Sequence, residues 1–125
     1  MNPKASFIQY KNKQIYYIDY ANIKNELEFL EAIEQTNTFR KQFIVDKPLE
    51  SQLMLVDLTN SFVIGQVFER LKESGIATKP YLKKQAVVGL TPAKSAMLRI
   101  FNLFVQRKMS PFKTVDEAMD WLIED

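Results

Sequence analysis

Apolar residues in this chain recur first with the spacing of β-strands and then with the spacing of helices. Residues 6–10 and 14–20 are rich in aromatic and β-branched side chains, and a short polar stretch separates them, as is typical of an antiparallel hairpin. Residues 53–58 and 85–90 are nearly continuous apolar runs, which indicates strands covered on both faces. A short last strand is predicted at 112–113.

Apolar residues at helical spacing predict four helices among and after these strands. The first is expected to begin at an Asn22 cap and to stop at Pro48, with a break near 36–38. The second is expected to begin at a cap within 59–61 and to end at Gly75 in the position after its last turn.

The last two helices have the clearest start signals. Thr91 precedes Pro92, the usual pairing of an N-cap with proline at the first helical position, and this helix is expected to run to about Met109. Thr114 and Glu117 match a capping box that opens the final helix. The element order predicts an α/β fold in which an N-terminal antiparallel hairpin leads into a mostly parallel sheet of about five strands, flanked by about four helices. We expect a single domain over residues 1–125.

The residue types that are absent from the chain exclude several classes of function. The chain has no histidine and no cysteine, which removes the commonest general base, thiolate nucleophiles and most zinc sites. We therefore predict a binding protein with no catalytic residues, no metal site and no cofactor. Acid–base chemistry by Asp57 and nearby lysines, or a carboxylate-only magnesium site, remains the enzymatic alternative.

The hydropathy of the chain predicts its location. The first four residues lack the apolar stretch of a signal peptide, and no window approaches the roughly 20 apolar residues of a membrane span, so we expect a cytoplasmic protein without integral membrane association.

Basic residues are concentrated in one part of the chain. The segment between Glu73 and Asp116 contains eight basic residues and no acidic one, although the whole chain carries only +2. Such a segment suits an anionic partner, unless carboxylates of other segments neutralise it.

Several short motifs follow one another along the predicted strands and helices. They are 55–59 (LVDLT), 79–84 (KPYLKK), 86–91 (AVVGLT), 112–114 (FKT) and 117–122 (EAMDWL). In these motifs the chain resembles the SpoIIAA-like family of small bacterial proteins, and their order and spacing fit from about residue 6 to residue 123.

The resemblance implies a STAS-like fold, which is also likened to CRAL-TRIO lipid-transfer domains. Most members of the family have no assigned activity, whereas STAS domains as a class act in bacterial regulation through protein–protein contact. Phosphorylated STAS domains carry a serine motif after the central strand, and this chain departs from it. Ser61 is the nearest hydroxyl and is therefore the candidate phosphorylation site.

Polar residues cluster after two of the predicted strands. Ligands of open parallel sheets bind beyond the carboxyl ends of the strands, where helix N-termini point free N–H groups outward. A phosphate or carboxylate is one interpretation of these residues, and simple helix capping is the other. The candidate ligand-binding residues are Asp57, Thr59, Asn60, Ser61, Thr91 and Lys94.

The predicted helix 93–109 is apolar over more than half of its circumference, which exceeds what one sheet covers. A twofold homodimer is one explanation, and packing against the first helix, a lipid chain or a membrane surface are the others. The candidate interface residues are Met97, Ile100, Phe101, Phe104 and Met109.

The leading functional hypothesis is a STAS-like regulatory module that binds a protein partner and forms a homodimer. The alternative is a carrier or sensor of a small anionic or lipid-like ligand, which would bind at the strand ends and the apolar helix. Aromatic residues and lysines on the hairpin imitate a stacking surface for nucleic acid. The acidic first helix would repel phosphates, so no nucleic-acid partner is predicted.

Overall fold

Five strands form one mixed sheet in the same order as they occur along the chain. The computed structural model describes residues 3–106 and 108–124, so Arg107 of the basic segment lies outside the described residues. The first two strands are antiparallel, and each later strand is parallel to its neighbour. The strands are β1 (Ala5–Tyr10), β2 (Lys13–Asp19), β3 (Gln52–Asp57), β4 (Leu82–Val88) and β5 (Ser110–Phe112).

The hairpin confirms the first prediction from the sequence. Tyr10 pairs with Lys13, so the connection consists of Lys11 and Asn12. Both have positive φ values, 48° and 70°, as a two-residue turn of the primed type requires. The twist of this turn matches the twist of the strands, which is why it closes a hairpin rather than splaying it.

Four helices follow the strands, and three of them begin with a side-chain cap. Asn25, Thr91 and Thr114 each accept a hydrogen bond from the backbone N–H three residues later. The Thr91 and Thr114 caps confirm the sequence predictions. The helices are α1 (Glu26–Phe43), α2 (Gln66–Thr78), α3 (Pro92–Val105) and α4 (Val115–Ile123).

The start and the continuity of α1 differ from the sequence prediction. Asn22 has a φ of 65° and lies in the turn before the helix, so Asn25 is the residue that caps it. No break occurs near 36–38, because the hydroxyls of Thr36 and Thr38 bond to carbonyls of the preceding turn. The hydroxyls therefore remain inside the regular helix instead of competing with it.

Helices α2 and α3 also differ from prediction at their ends. Residues 59–61 form a turn rather than a cap, and α2 begins only after Gly65. Gly75 lies within α2. It faces α3 at a close approach, where an added side chain would come within 2.6 Å of the Phe101 ring. Helix α3 ends at Val105 and not at about Met109 as predicted, because the next residue, Gln106, adopts a left-handed backbone conformation.

The helices are divided unequally between the two faces of the sheet. Helices α1, α2 and α3 cover one face, where Tyr16, Met54 and Val56 of the strands are buried. Helix α4 packs on the other face, against Leu55 and Ala86. The architecture thus confirms the predicted fold class, a mostly parallel five-stranded sheet with an N-terminal hairpin and four flanking helices.

Candidate ligand-binding cavity

The residues predicted at the strand ends mostly bond to one another. Asp57 accepts hydrogen bonds from the Thr59 backbone N–H at 2.9 Å and from the Tyr17 hydroxyl at 3.4 Å. The Asn60 amide donates to Asn22. Ser61 is 1% exposed, and its hydroxyl donates to the carbonyl of Leu58 at 2.7 Å. These contacts close the loop after β3, and they keep the Ser61 hydroxyl away from the solvent.

The strand order gives these residues no topological switch point. In doubly wound sheets, the binding crevice opens where neighbouring connections go to opposite faces, at a reversal of strand order. Here the order never reverses, and the three helical connections α1, α2 and α3 all lie on one face. Ligand binding by the strand-end residues remains a prediction.

Lys94 is the exception among the strand-end residues, because its side chain is directed inward. It is 8% exposed, and its ammonium donates to the carbonyls of Leu58 at 2.8 Å and Gly89 at 3.2 Å. Burial lowers the pKa of Lys94, while the Asp57 carboxylate opposes that shift. Lys94 therefore joins the ends of β3 and β4 and places a cation at one end of the interior space described next.

An apolar cavity of about 90 Å³ lies between the sheet and helices α1, α2 and α3. Side chains of β2, β3 and β4 that point to this face form its floor, and the three helices form its walls. Its apolar lining residues include Ile18, Val56, Leu71, Val87, Leu90, Met97, Leu98 and Phe101.

The apolar walls of this cavity lack packing partners across the space. The cavity is partly open, so water contacts these walls when no other molecule fills it. Met54, Met97 and Met109 line the cavity, and their flexible side chains allow it to adapt to an occupant.

Polar side chains are concentrated where α1 and α2 meet over the cavity. Arg40 is 8% exposed and lines the cavity, and its Nη1 donates to the Asn37 side-chain oxygen at 2.6 Å. The same oxygen accepts from the Ser74 hydroxyl at 2.9 Å. Thr78 also lines this end, and its hydroxyl donates to the Ser74 carbonyl. The cavity is therefore amphipathic, with apolar walls and a cationic end.

Two tyrosines lie beside this cationic end. Burial raises the pKa of Tyr16 to about 12, and the positive charge of Arg40 partly opposes the shift. Burial also raises the pKa of Tyr20, whose hydroxyl is 2.7 Å from that of Thr36. Both phenols therefore stay neutral at physiological pH, so they do not neutralise the charge of Arg40.

Sequence analysis missed Arg40, although a signal was present. Buried positions of α1 follow the helical period at Phe29, Ile33, Thr36 and Arg40. A basic residue at the spacing of an apolar stripe is unusual, because an unpaired charge is rarely buried. The position of Arg40 in this stripe is therefore the sequence signal that could have indicated an internal polar site.

The predicted interface residues fall into two groups. Met97, Phe101 and Met109 face inward and line the cavity. Ile100 and Phe104 lie on the outer side of α3, where they are 54% and 53% exposed. The excess apolar surface of this helix thus has two separate causes, an internal cavity on one side and an exposed stripe on the other.

Neither a metal cluster nor a membrane-spanning helix is found in the part of the chain that the structure describes. No three carboxylates there come together as a group that could hold a metal ion. None of the helices within 3–106 and 108–124 is both long and apolar enough to cross a bilayer.

Comparison with known proteins shows the fold of the chain. No protein-family model matches the sequence, and no curated protein matches it. A crystal structure of an uncharacterised protein of the DUF3478 family from Shewanella loihica PV-4, which has a SpoIIAA-like fold, superposes with a TM-score of 0.73 at 15% sequence identity. The similarity covers 94% of this chain and 91% of that chain. The chain therefore has a SpoIIAA-like fold, as the resemblance in its sequence predicted.

Proposed function

We propose that this protein is a binding module, without catalytic activity of its own, that holds a small amphipathic molecule inside its core. The apolar cavity between the sheet and α1, α2 and α3 carries this proposal. Protein interiors are normally packed as densely as organic crystals, so a space of this size needs an explanation. An apolar group of a ligand would restore the missing contacts.

The proposal keeps the ligand class of the second sequence hypothesis and changes the place where the ligand binds. The sequence indicated the strand ends and the apolar helix, whereas the cavity lies beneath α3 and reaches Lys94 at only one end. Apolar cavities bind small apolar molecules without large rearrangement of the protein, and this cavity is partly open, which lets a ligand enter. A cytoplasmic location in a bacterium, as expected from the sequence, belongs to the same proposal.

Xenon is a small apolar atom that fits a space of about 90 Å³, so it tests the cavity directly. We expect the wild-type protein to shift the ¹²⁹Xe NMR signal with saturation at one site. Met97→Trp, which fills the cavity from α3, should abolish this signal. Ile100→Trp adds the same side chain to the exposed side of the same helix and should leave the signal unchanged. Loss of binding in Ile100→Trp alone would place the probe on the surface and contradict the proposal.

The exposed stripe of α3 favours a second candidate function, the STAS-like regulatory module that forms a homodimer or binds a protein partner. Leu103 is 80% exposed, and it lies between Ile100 and Phe104, which are half-exposed. An apolar surface that is complementary to itself is buried when two copies meet about a twofold axis. Binding of a ligand in the cavity and dimerisation through the outer stripe are compatible.

Light scattering distinguishes this second candidate. If the stripe forms a dimer interface, the wild-type protein has the mass of a dimer and Leu103→Glu has that of a folded monomer. Leu27→Glu makes the same change at another exposed leucine, on α1, and should stay dimeric. A monomeric wild-type protein would rule out the homodimer and leave the cavity proposal untouched.

A further inference from the structure

The charge of Arg40 has no counter-ion within residues 3–106 and 108–124. None of the ion pairs that these residues form includes Arg40, although its side chain is more than nine-tenths buried. A guanidinium has five N–H donors, and Asn37 accepts from one nitrogen. No nitrogen of Arg40 is both fully buried and without a hydrogen-bond partner, so its remaining N–H groups border solvent and an anion can reach them.

We infer that the ligand in the cavity carries a carboxylate, which Arg40 binds where α1 and α2 meet, while its alkyl part lies under α3. This inference rests on the proposed function and names the chemical class of its ligand. A carboxylate fits because its two oxygens match the planar fork of a guanidinium. The neighbouring groups at this end, Ser74 and Thr78, are neutral hydroxyls, so the site suits a single rather than a double negative charge.

Lys94, the other buried cation, is the weaker candidate for binding the anionic group. Two carbonyls already accept hydrogen bonds from its three-donor ammonium. Arg40 lies near the C-terminal end of α1, and Lys94 lies at the beginning of α3, so the two residues are on different walls. The floor between them includes Met54, Val56 and Leu58 of β3 and its loop. The cavity volume of about 90 Å³ limits the alkyl part of the ligand to a short chain.

Titration calorimetry at pH 7.4 with sodium butanoate and 1-butanol tests the inference, because the two molecules differ only in their polar group. We expect the wild-type protein to bind butanoate about tenfold more tightly than 1-butanol, as a charge-assisted bidentate contact provides. Arg40→Gln should remove this preference and leave the affinity for 1-butanol unchanged. Arg70→Gln makes the same change on α2, at an exposed arginine outside the cavity, and should behave as the wild type.

The possible results separate the inference from the proposed function. Equal binding of both molecules by the wild type, or full butanoate affinity in Arg40→Gln, would overturn the carboxylate site and leave the cavity proposal standing. Binding of neither molecule would overturn both. If Arg40→Gln fails to fold, the side-chain Nε–H resonance of Arg40 in the wild-type protein decides the question. It should shift on addition of butanoate and not of 1-butanol, and the absence of any shift would contradict the inference.

Discussion

Individual polar residues in this protein mostly serve to join distant segments. Tyr10, at the end of β1, donates a hydrogen bond of 2.6 Å to the carboxylate of Asp120 on α4. Lys11 of the hairpin turn forms an ion pair with the same oxygen at 3.0 Å. The hydrogen bond from Tyr10, followed by that from Lys11, lowers the pKa of Asp120. One carboxylate thus connects the first hairpin to the last helix.

Tyr10→Phe should raise the pKa of Asp120 toward the ordinary value of 3.8. In the wild-type protein the pKa of the folded state is the lower one, so the contact stabilises the fold above that ordinary value. This stabilisation disappears as the pH falls through the pKa of the folded state. Carboxyl ¹³C titration by NMR measures the shift, and Tyr17→Phe, which lacks contact with Asp120, is the control. An unchanged pKa in Tyr10→Phe would contradict the assignment.

At the scale of elements, the sequence predicts the type of each helix and strand better than its ends. The caps at Thr91 and Thr114 act within one turn, so local sequence was sufficient to find them. The predicted start of α2 was wrong. Residues 59–61 have side chains that often cap helices, but their backbone forms a turn and not a helix start, as the φ of 56° at Asn60 shows. The role of Gly75 depends on Phe101, a residue far away in sequence.

The candidate site, too, could be predicted only in part, because the cavity depends on the strand order of the sheet. Helical periodicity showed that α3 has too many apolar residues, but it could not divide them between an inner wall and an outer stripe. That division depends on all three connecting helices lying on one face, which follows from the strand order. The sequence shows that Arg40 lies in the apolar stripe of α1. That Arg40 has no counter-ion among the described residues follows only from the packing of the surrounding helices.

A close approach of two loops supports a prediction at the element scale. Gly89, after β4, has a φ of 86°, and an added side chain would collide with the backbone of Thr59 in the loop after β3. Gly89→Ala should therefore cost about 1–3 kcal/mol of unfolding free energy from backbone strain alone, and more from the collision. Gly65→Ala, also at positive φ, meets only the end of the Glu26 side chain and should cost less. Urea unfolding measures both, and the reverse order would contradict this account.

At the scale of the whole molecule, the two faces of the sheet are protected very differently. Three helices cover one face, and α4 is the only helix on the other within the part of the chain that the structure describes. Leu122 is 1% exposed and lies in the centre of that contact. The stability of the whole fold therefore depends on a nine-residue helix that is too short to be stable alone.

Leu122→Ala should lower the unfolding free energy by about 2–5 kcal/mol, because it removes a buried side chain from the only helical cover of that face. Leu103→Ala deletes the same group from the exposed side of α3 and should change stability by less than about 0.5 kcal/mol. Thermal unfolding followed by circular dichroism compares the two variants. Similar losses in both would show that the outer stripe of α3 is buried in solution.

The position of α4 late in the chain has a consequence for synthesis in the cell. A ribosome adds about 5–20 residues per second, so β1 to β4 emerge about 1–5 seconds before residues 115–123 begin to do so. Until those residues emerge, Leu55 and Ala86 have no helix to cover them. The growing chain therefore exposes an apolar sheet face during translation until residues 115–123 have left the exit tunnel.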